Sequence, residues 1–83
     1  MTWSVLWSSR SVRQLKKLDK KQVRRIRDAV LQITDNPFVA VRKLSDSAFF
    51  RMRVGDYRVI MDLQQGKMII FVVEVDHRRR IYD

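Results

Sequence analysis

Six side chains in the second half of this 83-residue sequence have the chemistry to bind and cleave a phosphate ester. A guanidinium group can grip a phosphate with two parallel hydrogen bonds, which an ammonium group cannot do. A histidine and a tyrosine near the end of the chain can move protons, because each ring can both donate and accept one. The six residues are Arg51, Arg53, Arg58, His77, Arg78 and Tyr82.

A β-hairpin is expected to carry three of these arginines. Residues 49–54 and 57–63 alternate between apolar and polar side chains, as half-buried strands do. Gly55 and Asp56 lie between them and suit a two-residue turn of type II′, in which glycine takes the first central position. The apolar set on one face of this hairpin is the expected seat of the helices: Phe50, Met52, Val54, Tyr57, Val59 and Met61.

The turn also determines which side chains share the opposite face of the hairpin. Arg53 is expected directly opposite Arg58, and Arg51 has the same orientation. Because like charges placed opposite each other are destabilising, the cluster favours an anion-binding site. The alternative is a solvated face on which Asp62 pairs with an arginine.

The last predicted strand, residues 68–75, is apolar on both sides and is therefore expected inside the sheet. Regular alternation places Phe71 and Val73 on the arginine face. It turns Glu74 to the helical side, away from Asp62. Carboxylates separated in this way do not favour a two-metal nuclease.

The absence of cysteine and the single histidine exclude thiolate zinc sites and those built on several imidazoles. The sequence also lacks the glycine-rich motifs that bind nucleotides. We therefore expect no metal and no small-molecule cofactor.

The first half of the chain predicts a strand followed by two helices. Residues 3–7 are aromatic and β-branched, as in a strand, and the serines after them can cap a first helix. Asp19 can cap a second helix, in which apolar residues recur at helical spacing until Asn36 and Pro37 end it. The two helices are joined by very few residues, which predicts that they form an antiparallel helical hairpin. Residues 38–46 are expected to form a loop.

Length and composition predict one small domain over residues 1–83, because 46% apolar residues suffice for one modest core. The expected fold is α+β: an N-terminal edge strand and a helical hairpin packed on a small antiparallel sheet. No apolar run approaches the roughly 20 residues that cross a bilayer, and no signal-peptide pattern is visible. The cytoplasm is the expected location.

Eighteen lysines and arginines against nine acidic residues give a net charge of +9, which predicts a polyanionic partner. Half of these cations fall on the helical hairpin. We interpret them as an RNA-binding surface whose affinity falls steeply with salt, although exposed helix faces are often merely solvated. Membrane binding is less favoured, because the apolar stripe of the hairpin is needed for the sheet. Candidate RNA-binding residues are Arg13, Lys16, Lys17, Lys20, Lys21, Arg24 and Arg25.

Trp3 and Trp7 are aromatic residues that could stack on nucleic-acid bases. On a strand this short, packing within the protein is the expected role of both.

The arginine face could support RNA cleavage without a metal ion. The 2′-hydroxyl of the substrate is the nucleophile, so the protein must align it, stabilise the negative charge on phosphorus and move protons. Arginines can bind the phosphate and stabilise that charge, but they remain protonated and cannot act as bases. Proton transfer then falls to His77 or Tyr82. A surface histidine and a tyrosine that covers the sheet are the purely structural alternatives.

The order of these features resembles the RelE/ParE toxin superfamily, and its RelE branch in particular. The basic helical hairpin, the turn from Gly55 to Arg58, the apolar strand and the closing segment from His77 to Tyr82 carry the resemblance over nearly the whole chain. It implies a toxin of a type II toxin–antitoxin system that cleaves mRNA on the ribosome. The family's functional positions fall on Arg51, Arg53, Arg58, Arg78 and Tyr82. RelE members usually carry lysines at the first two, and the arginines here cannot serve as bases.

The resemblance also implies partners and alternatives. The partners are mRNA, ribosomal RNA and a cognate antitoxin protein. The +9 surface beside an apolar groove predicts that this antitoxin is acidic and carries an amphipathic helix. ParE members share the fold but inhibit DNA gyrase and lack the basic catalytic set, so a non-enzymatic gyrase inhibitor is the main alternative. A plain RNA-binding module without toxicity is a third.

Overall fold

The chain folds into a five-stranded sheet with two helices packed on one face. The computed structural model describes residues 2–77. Its elements, in chain order, are β1 (Ser4–Trp7), α1 (Ser9–Lys16), α2 (Lys20–Gln32), a 3₁₀ turn (Pro37–Val39), β2 (Arg42–Lys43), β3 (Phe50–Val54), β4 (Tyr57–Gln64) and β5 (Ile69–His77). This arrangement confirms the predicted α+β fold.

The strands lie in the order β1-β5-β4-β3-β2. As predicted, β1 is an edge strand and β5 lies inside the sheet. β1 runs parallel to β5, whereas the other pairs are antiparallel. The opposite edge, β2, falls in the segment that was expected to be a loop. Two residues are too few for an alternating pattern to reveal a strand.

Both helices begin at the caps that the sequence indicates. The Ser8 Oγ accepts a hydrogen bond from the Ser11 N–H (3.0 Å), and the Asp19 Oδ1 accepts one from the Gln22 N–H (2.9 Å). Within residues 2–77, neither helix has the length and apolar character needed to cross a membrane.

The core lies between the helices and one face of the sheet. Ile26 and Val30 of α2 are completely buried there. Trp3 packs edge-to-face on Phe38, with ring centroids 5.7 Å apart, and Trp7 also packs against the core. The two tryptophans therefore have the packing role expected of them. The strands contribute Met52, Val54, Val59, Met61, Leu63, Ile70, Val72 and Val75 to the core.

A β-bulge interrupts the pairing of β4 with β5. Ile60 pairs with Glu74 but Met61 pairs with Val72, which leaves Val73 as an extra residue. The bulge reverses the alternation of β5 beyond this point, because one extra residue exchanges the two faces of a strand. The expectation that Glu74 turns to the helical side is therefore wrong.

Helix α1 covers the edge of β5 where β1 no longer reaches. β1 ends opposite Val72. Beyond it, the Ser8 hydroxyl donates a hydrogen bond to the Val73 carbonyl, and the Val75 N–H donates one to the Gln14 Oε1 (2.6 Å). These contacts satisfy backbone groups that an open sheet edge would leave exposed, and they fix the bulge in place.

Candidate phosphate-binding site

The β3–β4 hairpin has the predicted register. Arg53 pairs directly with Arg58 across a two-residue turn. Gly55 adopts a φ of +60°, whereas Asp56 is not among the residues with positive φ. This combination is that of a type II′ turn. The local sequence thus places two guanidinium groups opposite each other on the face that points away from the helices.

Two rows of side chains cross this arginine face, each following the pairing of neighbouring strands. The turn row consists of Arg53, Arg58 and Asp76 on β3, β4 and β5. The edge row consists of Arg42, Arg51, Ile60 and Glu74 on β2, β3, β4 and β5. Because the rows are two residues apart along each strand, they are separated by about 7 Å.

The four arginines of the two rows differ in exposure. Arg58 is only 6% exposed, Arg51 is half-buried, and Arg42 and Arg53 are exposed. A buried guanidinium needs a compensating charge, and Asp76 lies directly opposite Arg58 on β5. Arg58 is therefore held within the sheet surface, while the exposed arginines beside it can adjust to a ligand.

The carboxylates on this face have other partners as well. The Asp62 Oδ2 accepts a hydrogen bond from the Gln64 Nε2 (3.2 Å), and the Glu74 carboxylate forms an ion pair with Arg10 (3.2 Å). The carboxylate directly opposite an arginine is that of Asp76, because the bulge turns Asp76 to this face, whereas Asp62 lies opposite Phe71. In the described part of the chain, no three acidic or histidine side chains are grouped to hold a metal ion.

His77 lies on the other face of the sheet. It pairs with Tyr57, and the two rings meet edge-to-face with centroids 5.2 Å apart. It lines a cavity of about 660 Å³ between α1 and the ends of β4 and β5. His77 was expected beside the arginines as part of the segment that follows the last strand. The strand instead continues to His77, and after the bulge its alternation turns His77 to the helical side. The remaining two candidates, Arg78 and Tyr82, lie outside the described residues.

Arg42 is a member of the arginine face that the sequence did not indicate. It pairs with Arg51 across β2 and β3. Together with Arg53 they line a cavity of about 380 Å³ at the sheet edge. The adjacent basic residues Arg42 and Lys43 were the one available signal, but without a strand assignment neither could be placed on a face.

The side chain of Arg25 on α2 lies against the hairpin turn. A Cβ atom added to Gly55 would lie 2.8 Å from the Arg25 Nη1 and 3.0 Å from its Cζ. Arg25 was predicted to bind RNA. The structure shows that its guanidinium also packs on the turn that joins Arg53 to Arg58.

We expect Gly55→Ala to lower the free energy of unfolding by about 1–2 kcal/mol, because alanine strongly disfavours a φ of +60°. The added methyl group would also displace Arg25. Urea denaturation of Gly55→Ala, Arg25→Ala and the double variant separates the two effects. The free energy of unfolding should fall less in the double variant than the sum of its decreases in the two single variants. Strict additivity would show that the contact with Arg25 contributes nothing.

Comparison with known proteins identifies the family of this chain. Residues 5–82 match the sequence model of the ParE toxin of the type II toxin–antitoxin system parDE. The chain belongs to this toxin family. This result confirms the RelE/ParE superfamily predicted from the sequence. No curated protein sequence matches the toxin.

Solved structures show the same fold. A RelBE toxin–antitoxin complex from Mycobacterium tuberculosis contains a chain that matches with a TM-score of 0.87 at 20% identity, over 94% of this toxin and 100% of that chain. For the archaeal RelE–RelB complex from Pyrococcus horikoshii the TM-score is 0.82 at 27% identity, over 98% and 100%. For the RelB–RelE complex from Methanococcus jannaschii it is 0.72 at 24%, over 94% and 95%. The fold of the toxin is thus RelE-like, as predicted.

The cationic helices of the toxin present their charge at several places. All seven predicted RNA-binding residues are exposed. Three of them, Lys16, Lys20 and Arg24, line a groove of about 590 Å³ between α1 and α2. Lys17 instead lines the cavity beside His77. The predicted single surface therefore divides between a groove, a cavity and the hairpin turn.

The groove between the helices combines a cationic rim with an apolar lining. Arg27 adds a fourth cation to the rim and also pairs with Asp28 (3.7 Å), both side chains being exposed. The apolar lining consists of Val12, Leu15, Leu18 and Val23. Such a surface suits an acidic amphipathic segment as well as a polyphosphate.

Proposed function

We propose that this toxin is a ribosome-dependent, metal-independent endoribonuclease that cleaves mRNA. The observation that carries the proposal is the turn row, in which Arg53 faces Arg58 on the side of the sheet that points away from the helices, with Arg51 beside them. Guanidinium groups brought together from neighbouring strands can bind one phosphate through several charge-assisted hydrogen bonds. A site that concentrates positive charge in this way favours a reaction in which negative charge develops on phosphorus.

The proposed reaction is an attack of the RNA on its own backbone. The 2′-oxygen forms a bond to the adjacent phosphorus, and the bond from that phosphorus to the 5′-oxygen breaks. The 2′-hydroxyl proton leaves to a base, and the departing 5′-oxygen gains a proton. The products are a 2′,3′-cyclic phosphate and a 5′-hydroxyl end.

Each candidate residue has a defined task in this reaction. Arg58 and Arg78 bind and polarise the scissile phosphate, while Arg51 and Arg53 add positive potential. Tyr82 transfers protons. The register argues against His77 for this task, because it places His77 on the helical side of the sheet.

The helical hairpin is proposed to bind ribosomal RNA. Its exposed cations belong to the opposite layer of the molecule from the arginine face. The toxin can therefore bind mRNA on one side and the ribosome on the other. This function places the toxin in the cytoplasm.

A cognate acidic antitoxin is the proposed protein partner. The structural neighbours from three organisms are toxin–antitoxin complexes, and the family model is that of a type II system. The apolar groove with its cationic rim supports a partner with an acidic amphipathic helix. A short acidic protein encoded beside the toxin should neutralise it and co-purify with it.

Primer extension on cellular mRNA after induction of the toxin tests the nuclease. We expect growth arrest and cuts that follow the reading frame, with cyclic phosphate ends. The variant with alanine at Arg58, Arg78 and Tyr82 should give neither. If that variant still arrests growth and still cuts mRNA, the assignment is wrong.

Inhibition of DNA gyrase is the second candidate function, favoured by the match to the ParE family model. It would act by binding, without cleavage of RNA. The same induced cells distinguish the two, because gyrase inhibition relaxes plasmid supercoiling and damages DNA while mRNA stays intact. Retention of toxicity in the triple alanine variant would also favour this candidate.

A further inference from the structure

The edge row contains a pair of arginines that the proposed cleavage does not use as a pair. Arg42 and Arg51 face each other across β2 and β3, as Arg53 and Arg58 do across β3 and β4. The arginine face therefore holds two similar guanidinium pairs side by side. Two guanidinium groups placed in this way can both donate hydrogen bonds to one anion.

The distance between the two pairs matches the repeat of a nucleic-acid backbone. Arg51 and Arg53 are two residues apart on β3 and lie on the same face. This separation is about 7 Å. Neighbouring phosphates of an extended single strand have a similar spacing, so one strand crossing β3 would place consecutive phosphates at the two pairs.

The edge row is also accessible to a ligand. Arg42 is exposed at its end, whereas Arg58 in the turn row is buried. The cavity of about 380 Å³ beside Arg42 gives a ligand access to this part of the face.

We propose that Arg42 and Arg51 form a second phosphate-binding subsite, which holds the phosphodiester next to the one bound at Arg53 and Arg58. The subsite fixes the direction in which the strand crosses the sheet, because one bound phosphate leaves the chain free to rotate and two do not. This inference rests on the proposed function in taking RNA as the ligand.

Lys43 provides a matched control for Arg42. It is the next residue on the same short strand, and it is also exposed and positively charged. It pairs with Phe50, whose side chain packs against the core, so its position in β2 belongs to the opposite face. Loss of a charge at Lys43 lowers the net charge as much as loss at Arg42 but leaves the edge row intact.

The test measures binding of short 2′-deoxy oligonucleotides, which lack the nucleophile and are not cleaved. Fluorescence anisotropy would compare a dinucleotide, with one phosphodiester, and a trinucleotide, with two. The purified toxin should bind the trinucleotide about ten-fold more tightly, as one added charge-assisted contact allows. In a plot of the logarithm of affinity against the logarithm of salt concentration, the slope for the trinucleotide should be steeper by about 0.7. Arg42→Gln should abolish both differences and leave dinucleotide binding within about two-fold. Lys43→Gln should preserve both.

The outcomes separate this inference from the proposed function. If Arg42→Gln and Lys43→Gln behave alike, or if the toxin does not distinguish the two oligonucleotides, the second subsite does not exist. This result would leave the proposed mRNA cleavage untouched. If the toxin shows the predicted difference but cuts no mRNA in cells, the subsite stands and the nuclease assignment fails.

Discussion

Arg58→Gln is expected to reduce mRNA cleavage in a reconstituted translation system by about 10²–10³-fold, the usual effect of removing one group that stabilises charge in a transition state. Glutamine keeps part of the buried side-chain volume but not the charge. Arg58→Lys should lose less, because lysine keeps the charge without the two-pronged geometry of a guanidinium. Rates are to be measured with saturating ribosomes, so that they report the chemical step.

Stability must be controlled in this experiment, because Arg58 is buried and Asp76 lies opposite it. Removal of the positive charge opposite this carboxylate should lower the free energy of unfolding. The double variant Arg58→Gln/Asp76→Asn removes both charges and should recover stability but not activity. A folded double variant that cleaves mRNA at the wild-type rate would contradict the role given to Arg58.

Binding of the toxin to ribosomes is expected to weaken by roughly 10³–10⁵-fold between about 50 and about 200 mM salt, as for proteins that contact 6–10 phosphates. In the proposed function, the seven exposed cations of the helical hairpin provide most of these contacts. Replacement of Lys16, Lys20 and Arg24 by glutamine should lower the log–log salt slope by about 2–3, because each lost phosphate contact removes 0.7–0.9. Sedimentation of labelled toxin with ribosomes measures both quantities.

A control for the salt dependence replaces cations that lie outside the helices by glutamine. Lys43 and Lys67 are exposed, on β2 and in the connection between β4 and β5. Their replacement by glutamine should leave the salt slope nearly unchanged. If the slope falls equally for both sets per charge removed, the effect is one of net charge, and the hairpin is not a specific ribosome-binding surface.

The β-hairpin that carries the arginines could be predicted from the sequence, because neighbouring residues determine its turn and register. Gly55 fixes the turn, and the turn alone sets Arg53 opposite Arg58. The helices were also predictable, since capping residues and apolar spacing lie within a few positions of each other.

The features that the sequence did not predict depend on contacts between distant segments. The bulge at Val73 is stabilised by Ser8, which is 65 positions away. No periodicity within β5 reveals it, so neither the continuation of β5 to His77 nor the face that His77 takes was predicted. Arg42 was missed for a related reason, because a strand of two residues exists only through its pairing with β3.

The bulge makes the surface of the toxin depend on how β5 pairs as well as on its sequence. If β5 kept all its residues but paired with β4 without the bulge, Glu74 and Asp76 would point beneath α1 and His77 would join the arginines. Two acidic groups would then be buried, and the basic site would lose its carboxylates. Removal of Val73 would have no such effect, because Glu74 would then follow Val72 directly and would still lie opposite Ile60. The position of one extra residue thus decides which face of the sheet is basic and which is acidic.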